Sequence, residues 1–520
     1  MTESVTTSSL VAGARRADVP GDTDVGGRWW HRIPPPSAPE VLLAGAVLGW
    51  TWYFSMRSLD IHHSLGTSSY DSALYDQGMW LLSRFEAPFS TLMGRNLFGD
   101  HTSFVLLFLV PLYWVAPGAW IMFTAQSAAI AAGAIPVFLY GRRRLGSEWM
   151  ALVGAGAYLL HPAVGWTNLE NFHPDSFLGV FVGVAIYAAL ERKWRLYAVF
   201  VVLALLVKED VALVIVPLGV WVAVRRDRRT GLLTIVGGLA VMAIAMFVVM
   251  RSLIGVPTRN TWRIPFGGPS GLIDTAITNP TRLVDHLRSD GRPWYLVQMT
   301  APFAFLFARL PDVAAISAVV LFTNVLSTFW YQYQIEYHYS LVAVPALAIG
   351  TMYAIGALRD RRVGSGRLRV SARWVAVGVL GAASIVASFV WSPLPWSETP
   401  SYFGDRDNVY AASARELLDE VPSDAVVSAN YRLTPHLAYR TEIYQFPVPF
   451  RVVLYGPDTS LEGSRLDERA ERVEFVLLPV SRDAQLEADW DAIDTAFEEV
   501  ERNEFWVLYR RDRDTPLPPP

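Results

Sequence analysis

The chain has no cysteine and only two lysines, Lys193 and Lys208, so 42 of its 44 basic residues are arginine. The first absence excludes disulfide scaffolds, thiolate metal sites, cysteine nucleophiles and iron–sulfur clusters. Charge is scarce too: 18% of the 520 residues are Asp, Glu, Lys or Arg, against 52% hydrophobic, with a mean hydropathy of +0.28. That balance is too apolar for an ordinary soluble chain of this length. A formal net charge of -4 leaves no general basic field, so nucleic acid is excluded as a partner on electrostatic grounds. Aromatic residues, in contrast, are plentiful (Trp 19, Tyr 21, Phe 26), as expected where helix ends sit at a bilayer surface.

The apolar runs predict an α-helical polytopic membrane protein of about eleven spans, each near the length that crosses ~30 Å of hydrocarbon, followed by a soluble α/β domain. Residues 1–39 read as a disordered cytosolic tail carrying Arg15, Arg16, Arg28 and Arg32. Residues 40–392 form the transmembrane domain, with a first span near 41–56 and a polar, aromatic outer loop over 57–101. The run TSFVLLFLVPLYWVA after it, interrupted by Pro111, reads as interfacial rather than spanning. Later spans are expected near 119–141, 149–165, 176–190, 195–207, 211–224, 231–254, 294–308, 312–328, 339–357 and 373–391. This register puts Arg142-Arg143-Arg144, Arg192-Lys193 and Arg225–Arg229 on the inside, as the positive-inside rule asks. Residues 393–515 then lie outside the membrane, with strand-like runs at AVVSA, RVVLY, EFVLLPV and EFWVLYR and helical patterns at NVYAASARELLDEV and QLEADWDAIDTAFEEV. The final TPLPPP is expected to be disordered.

On this topology His31 falls in the cytosolic tail, and the other eight histidines (His62, His63, His101, His161, His173, His286, His338 and His436) fall at or beyond the outer surface. A polar site on the outer face follows, although outer loops also simply hold more residues. Lys208-Glu209-Asp210 places charge at membrane depth, where it is costly unless paired or facing water. Lys208 is either a self-compensating cap paired with Glu209 or Asp210, or a compact cation facing a phosphate. In the first outer loop Asp71 and Asp76 are candidate catalytic carboxylates. They are five residues apart, so a helix need not present both to one substrate. Asp71 equally suits a helix N-cap after Thr67-Ser68-Ser69. His101, His173, Asp175, Glu209, Asp210, Glu336 and His338 join Lys208 as candidate substrate-binding residues. A divalent metal held by His101, His173, His338 and Glu336 is one further expectation, though no spacing matches an established ligand pattern.

The order of these features resembles the C-type (GT-C) membrane glycosyltransferases, which include the protein O-mannosyltransferases and the aminoarabinose lipid A transferase. Leu139-Tyr140-Gly141-Arg142-Arg143-Arg144 resembles their Arg-rich inner turn, His173-Pro174-Asp175-Ser176 their helix start, and Leu205-Leu206-Val207-Lys208 their Leu-Leu-Thr-Lys segment. Tyr70-Asp71 with Asp76-Gln77, Asn171-Phe172-His173-Pro174, Lys208-Glu209-Asp210 and Glu336-Tyr337-His338-Tyr339 are similar to an uncharacterised bacterial membrane-protein family, known only as a domain of unknown function. So are Val427-Ser428-Ala429 and Pro435-His436-Leu437. The GT-C pattern is departed from in two places: Ser72 follows Asp71 where an adjacent acidic pair is usual, and His173 replaces a basic residue.

The resemblance implies sugar transfer from a polyprenyl-phosphate donor, loaded from membrane lipid, to an acceptor on the outer face of a bacterial plasma membrane. Asp71 would serve as general base. Lys208, with an arginine among Arg259, Arg263, Arg282, Arg288 and Arg292, would hold the lipid phosphate. Trp80, Trp262 and Tyr331 would stack on sugar or prenyl chain, or serve only as interfacial anchors. Two other classes fit the same charges: a transporter or flippase of a lipid-linked or anionic substrate, and a non-catalytic envelope-assembly protein. The first normally shows internal repeats and interrupted midplane helices, and none is seen in the sequence.

Overall fold

The computed structural model describes residues 35–256, 260–359, 361–364, 369–399 and 404–519. The tail expected over 1–39, with His31, lies outside the described residues up to position 34, as does Arg259. Helix α1 (Ala38–His63) opens with a reciprocal cap: the Ser37 hydroxyl accepts from the Glu40 backbone N–H and the Glu40 carboxylate accepts from that of Ser37. It runs seven residues further than the apolar pattern predicted, because Arg57 and Asp60 pair across one turn at 3.2 Å. The expected loop from 57 therefore starts at Ser64.

Among the described residues four helices are long and apolar enough to cross a membrane: α2 (Ala119–Leu145), α6 (Arg228–Ile254), α7 (His338–Gly356) and α8 (Ala372–Trp391). Shorter apolar helices pack among them, including α3 (Leu178–Leu190), α4 (Trp194–Leu205) and α5 (Ala212–Arg225). The run expected over 149–165 breaks at His161-Pro162, where proline starts a new helix, Pro162–Leu169, capped by the His161 ring. The run expected over 294–308 ends its α-helix at Thr300 and continues through short 3-10 turns, with Ala304 and Phe305 both at positive φ. The interfacial stretch is two short helical pieces, Phe104–Phe108 and Val110–Val115. Arginines close one end of the bundle: Arg143 pairs with Glu191, and Arg142 with Glu40 at 2.6 Å.

At the other end sits a five-stranded mixed sheet: β1 (Val427–Ala429), β2 (Ile443–Gln445), β3 (Phe475–Pro479), β4 (Phe497–Arg502) and β5 (Trp506–Arg511), in the order β2-β1-β3-β5-β4. Its alternation divides the core. Leu477, Trp506 and Leu508 belong to the core continuous with the helices, while Val476, Leu478, Val507 and Tyr509 form a second core on the far face. The strand expected at Arg451–Tyr455 is instead an irregular loop, turned by Leu454 at φ 50°. The helix expected through QLEADWDAIDTAFEEV stops at Asp491, and FEEVER becomes edge strand β4, with Glu499 paired to Arg502 and Glu498 to Arg510. Of the TPLPPP segment expected to be disordered, residues 515–519 are described, and Leu517 packs against the second core.

The segment Leu74–Ser83 fastens the sheet unit to the bundle. Gln77, fully buried, donates to Thr91 Oγ1 (3.0 Å) and the Arg440 carbonyl (3.2 Å) and accepts from Ser90 Oγ and Thr91 N. Thr91 in turn bonds both N–H and carbonyl of Ile443 on β2. Asp76, proposed above as catalytic, belongs to this fastening. It is 2% exposed, and its Oδ1 accepts from Tyr113 Oη (2.7 Å) and from Tyr439 Oη (3.2 Å) on the sheet unit. Asp76 does not line the open space that Asp71 faces.

Burial pushes the Asp76 carboxyl up to about 7, against the two tyrosine hydrogen bonds. Below about pH 4 the group is neutral in folded and unfolded chains alike. As pH rises to 7 only the unfolded chain ionises it, so stability is lost, by up to the order of 4 kcal/mol. Asp76→Asn should therefore raise the thermal midpoint of the detergent-purified protein more at pH 8 than at pH 5. Equal shifts at both pH values would refute this assignment.

Candidate functional site

Where the bundle meets the sheet unit, a cavity of about 830 Å³ is lined by Asp71, His101, Glu170, His173, Asp175, Lys208 and His338, among others. Its walls come from segments far apart in sequence, each positioned by local bonding. Gln126 of α2, fully buried, donates to the carbonyls of Asn168 (3.0 Å) and Asn171 (2.8 Å) and accepts from His173 N (2.9 Å). That fixes the loop carrying Glu170 and His173. The Asn171 side chain then accepts from Ser72 Oγ (2.9 Å) and Ser68 N (3.4 Å), tying this loop to the turn that carries Asp71.

Asp71 is not the N-cap that its neighbours suggested. It sits at φ 70°, ψ -71°, the sparsely populated region of a classic γ-turn, and its side chain, 39% exposed, opens to the cavity. A non-glycine residue held there costs about 1–3 kcal/mol, a strain that persists only where surrounding contacts impose it. His173 Nε2 lies 3.5 Å from Asp71 Oδ1, and His173 Nδ1 donates to the Glu170 carbonyl at 2.9 Å. Burial pulls the His173 imidazole down, but the Glu170 and Asp71 carboxylates outweigh it and carry it up to about 9. Burial likewise pushes Asp71 up. The His173, His338 and Lys208 charges reverse this and hold its carboxyl below the ordinary range. Asp71 is thus an ionised carboxylate facing open space.

Glu170, which the sequence reading passed over, accepts from both His338 N (2.6 Å) and His338 Nδ1 (3.0 Å). The His173 and His338 rings stack with centroids 3.8 Å apart. Lys208 is buried, with Nζ 3.7 Å from Asp175 and 4.0 Å from Asp210 and 5.9 Å from the Tyr339 ring centre. Its nearer carboxylate is therefore contributed across the bundle by the start of α3, rather than by its own neighbours. These carboxylates raise the ammonium well above its ordinary range despite burial.

Three candidates stand back from the cavity. Glu209 clamps His101 (2.8 Å to Nδ1) and Thr102 N, and is held down to about 2, its burial outweighed by His101. Asp210 faces two smaller side cavities. Glu336 is half-buried outside the lining, and Glu170 occupies the place beside His338 that was expected for it.

Among the arginines, Arg263 reaches the wall, its guanidinium 4.3 Å from the Phe329 ring centre and 5.2 Å from that of Trp262. Arg292 is a buried tie to the Val325 and Ser327 carbonyls. Trp262 and Tyr331 line the cavity, whereas Trp80 lies beneath Arg84, outside it. The two side cavities share Leu213 with an apolar groove of about 790 Å³ along α5 and α6, which ends at the Arg225–Asp312 ion pair. A carboxylate, buried cations and an apolar run-out thus adjoin one another. That arrangement can accept a hydroxyl proton, neutralise a phosphate and house a hydrocarbon chain.

The family model described as a predicted membrane protein, DUF2079, matches residues 61–514. No curated protein sequence matches the chain. Among solved structures it is similar to ArnT from Cupriavidus metallidurans in the apo state, at 13% identity and a TM-score of 0.54, over 92% of this chain and 98% of that one. The same protein bound to undecaprenyl phosphate matches at 12% identity and a TM-score of 0.50, over 90% and 97%. The arabinofuranosyltransferase AftD from Mycobacteria matches at 14% identity and a TM-score of 0.43, over 89% of this chain and 40% of that one. At the 12–13% identity to ArnT what is shared is the fold, which resembles that of the GT-C membrane glycosyltransferases, as the order of the sequence motifs did. With the family model running from within α1 to just beyond β5, the chain belongs to the DUF2079 family of predicted membrane proteins.

Proposed function

We propose that this protein is a glycosyltransferase of a bacterial plasma membrane, moving a sugar from a polyprenyl-phosphate donor to a hydroxyl acceptor on the outer face. The observation that carries this reading is the strained, ionised Asp71 in a cavity walled by Lys208 and Arg263. The similarity to ArnT, which has been crystallised with undecaprenyl phosphate, supports the donor class. Asp71 takes the proton of the acceptor hydroxyl as that oxygen attacks the anomeric carbon. The bond from that carbon to the phosphate oxygen breaks, and the lipid phosphate leaves against Lys208 and Arg263. A carboxylate held below its usual range is a weak base, which suffices if bond cleavage to the leaving phosphate runs ahead of proton transfer. The side cavities and the groove beyond Leu213 supply a path for the prenyl chain, with most of its surface against apolar side chains.

Two measurements test the reading. Asp71→Asn should lower transfer from an undecaprenyl-phosphate-linked sugar by about 10²–10⁴-fold, and full activity in that variant would end the proposal. The strain is separable from the chemistry: Asp71→Gly should be more stable than Asp71→Ala by about 1–3 kcal/mol, because only glycine enters that backbone region freely. A second test addresses the lipid path. Leu213→Trp, which fills the junction of groove and side cavities, should weaken binding of undecaprenyl phosphate at least tenfold while leaving thermal stability near that of the parent. Unchanged affinity would place the chain elsewhere.

A further inference from the structure

Glu170, His173 and His338 each offer a ligand atom, and these atoms all lie within 4.8 Å of one another. One oxygen, Glu170 Oε2, is 3.0 Å from His338 Nδ1 and 3.9 Å from His173 Nδ1. Donors about 2.0–2.1 Å from a tetrahedral zinc ion stand roughly 3.3 Å from one another, a spacing that these two separations bracket. Two imidazoles and one carboxylate are, moreover, a set used where zinc keeps an open position for a substrate or water. All three residues line the cavity, so that position has somewhere to point.

The surroundings carry the argument further. A histidine that ligates a metal usually hands its other ring N–H to a carboxylate, which fixes the ring and strengthens it as a ligand. His173 has this partner in place, with Asp71 Oδ1 3.5 Å from Nε2 while Nδ1 faces Glu170. Imidazole donors favour zinc and neighbouring transition metals over magnesium or calcium, which take oxygen.

We propose that Glu170, His173 and His338 form a binding site for one divalent transition-metal ion of the zinc class, opening onto the cavity beside Asp71. This moves the site expected from the sequence: Glu170 replaces Glu336, and His101 is engaged by Glu209 instead. An ion lies in the plane of each ring that ligates it, so binding opens the His173–His338 stack. The Nδ1 hydrogen bond of His173 to the Glu170 carbonyl gives way to the metal. At the open position the ion would take an anionic oxygen, such as that of a phosphate, or a water molecule.

The proposal does not rest on sugar transfer, and its test reads metal alone. Full-length protein in detergent, carrying no histidine tag and stripped with a chelator, is titrated with zinc chloride by calorimetry. One ion per chain is expected. Glu170→Gln and His338→Ala should each weaken binding at least tenfold, and Glu499→Gln, on edge strand β4 and outside the cavity, should leave it unchanged. No saturable zinc site in the parent, or the same affinity in both ligand variants, would overturn the assignment. Should the ligand variants misfold, the X-ray absorption spectrum of the zinc-loaded parent decides: two imidazole rings with oxygen support it, and an all-oxygen or one-imidazole shell rejects it.

Discussion

One buried amide sets the geometry on which the cavity depends. Gln126, in the first long span, uses both amide protons and its oxygen on the backbone of the 168–173 loop. Irregular backbone leaves groups without a secondary-structure partner, and each one buried without any partner would cost about 1–3 kcal/mol. The amide removes that penalty and, in doing so, allows one arrangement. Glu170 and His173 hang from the loop so fixed, and Asn171, itself at φ 48°, passes the constraint to the Asp71 turn through Ser68 and Ser72. Asp71 can be held in a backbone conformation of high cost because this chain of contacts begins on a rigid helix.

The charges follow a second constraint. Three ionised groups at the cavity have an opposite charge from a different segment within about 4 Å: Lys208 with Asp175, His101 with Glu209, and His173 with Asp71. Pairing across segments differs from pairing along one helix, because separating the segments exposes both charges to an apolar medium. The network therefore holds the ends of the short helices α3, α4 and α5 in register, which their own length could not do. It also leaves Asp71 as the carboxylate of these pairs with the most open face, which is where chemistry can intrude without dismantling the rest.

Much of this was legible in the sequence, for reasons that also show where legibility stops. Apolar runs and arginine clusters placed the helices because hydrophobic length and charge at helix ends are local properties. Asp71, His173, Lys208 and His338 stood out as charges at the ends of apolar runs, and they line one cavity. Glu170 did not stand out, since its meaning lies in a contact 168 residues away, and Glu336 was nearer to His338 in the chain. Gln126 carries no charge and sits mid-helix, where nothing marks it as bonded to a loop. Asp76 shares a motif with Asp71 yet faces elsewhere, a distinction made by the non-helical turn at Asp71 and by the Tyr113 and Tyr439 hydroxyls that hold Asp76. Edge strand β4 was read as helix because charged edges lack the alternation by which buried strands are recognised.

The sheet unit is more than an appendage, as its contacts with the first loop make plain. The Gly456 N–H donates to the Met93 carbonyl (2.7 Å), Arg95 donates to the Gly456 carbonyl (3.0 Å), and Tyr70 Oη to that of Leu454 (3.1 Å). Gly94 lies so near the Tyr455 ring that a Cβ there would come within 2.5 Å of it, so the approach requires glycine. These bonds involve backbone on at least one side, and they join the residue before Asp71 to a loop whose Leu454 lines the cavity. A molecule entering the cavity from the aqueous side thus meets both units at once. The Asp76 and Gln77 fastenings lie between the same two units, so loosening them would alter the cavity wall without touching any residue that could perform chemistry. The five residues between Asp71 and Asp76 thus separate a carboxylate that faces a ligand from one that keeps the walls together.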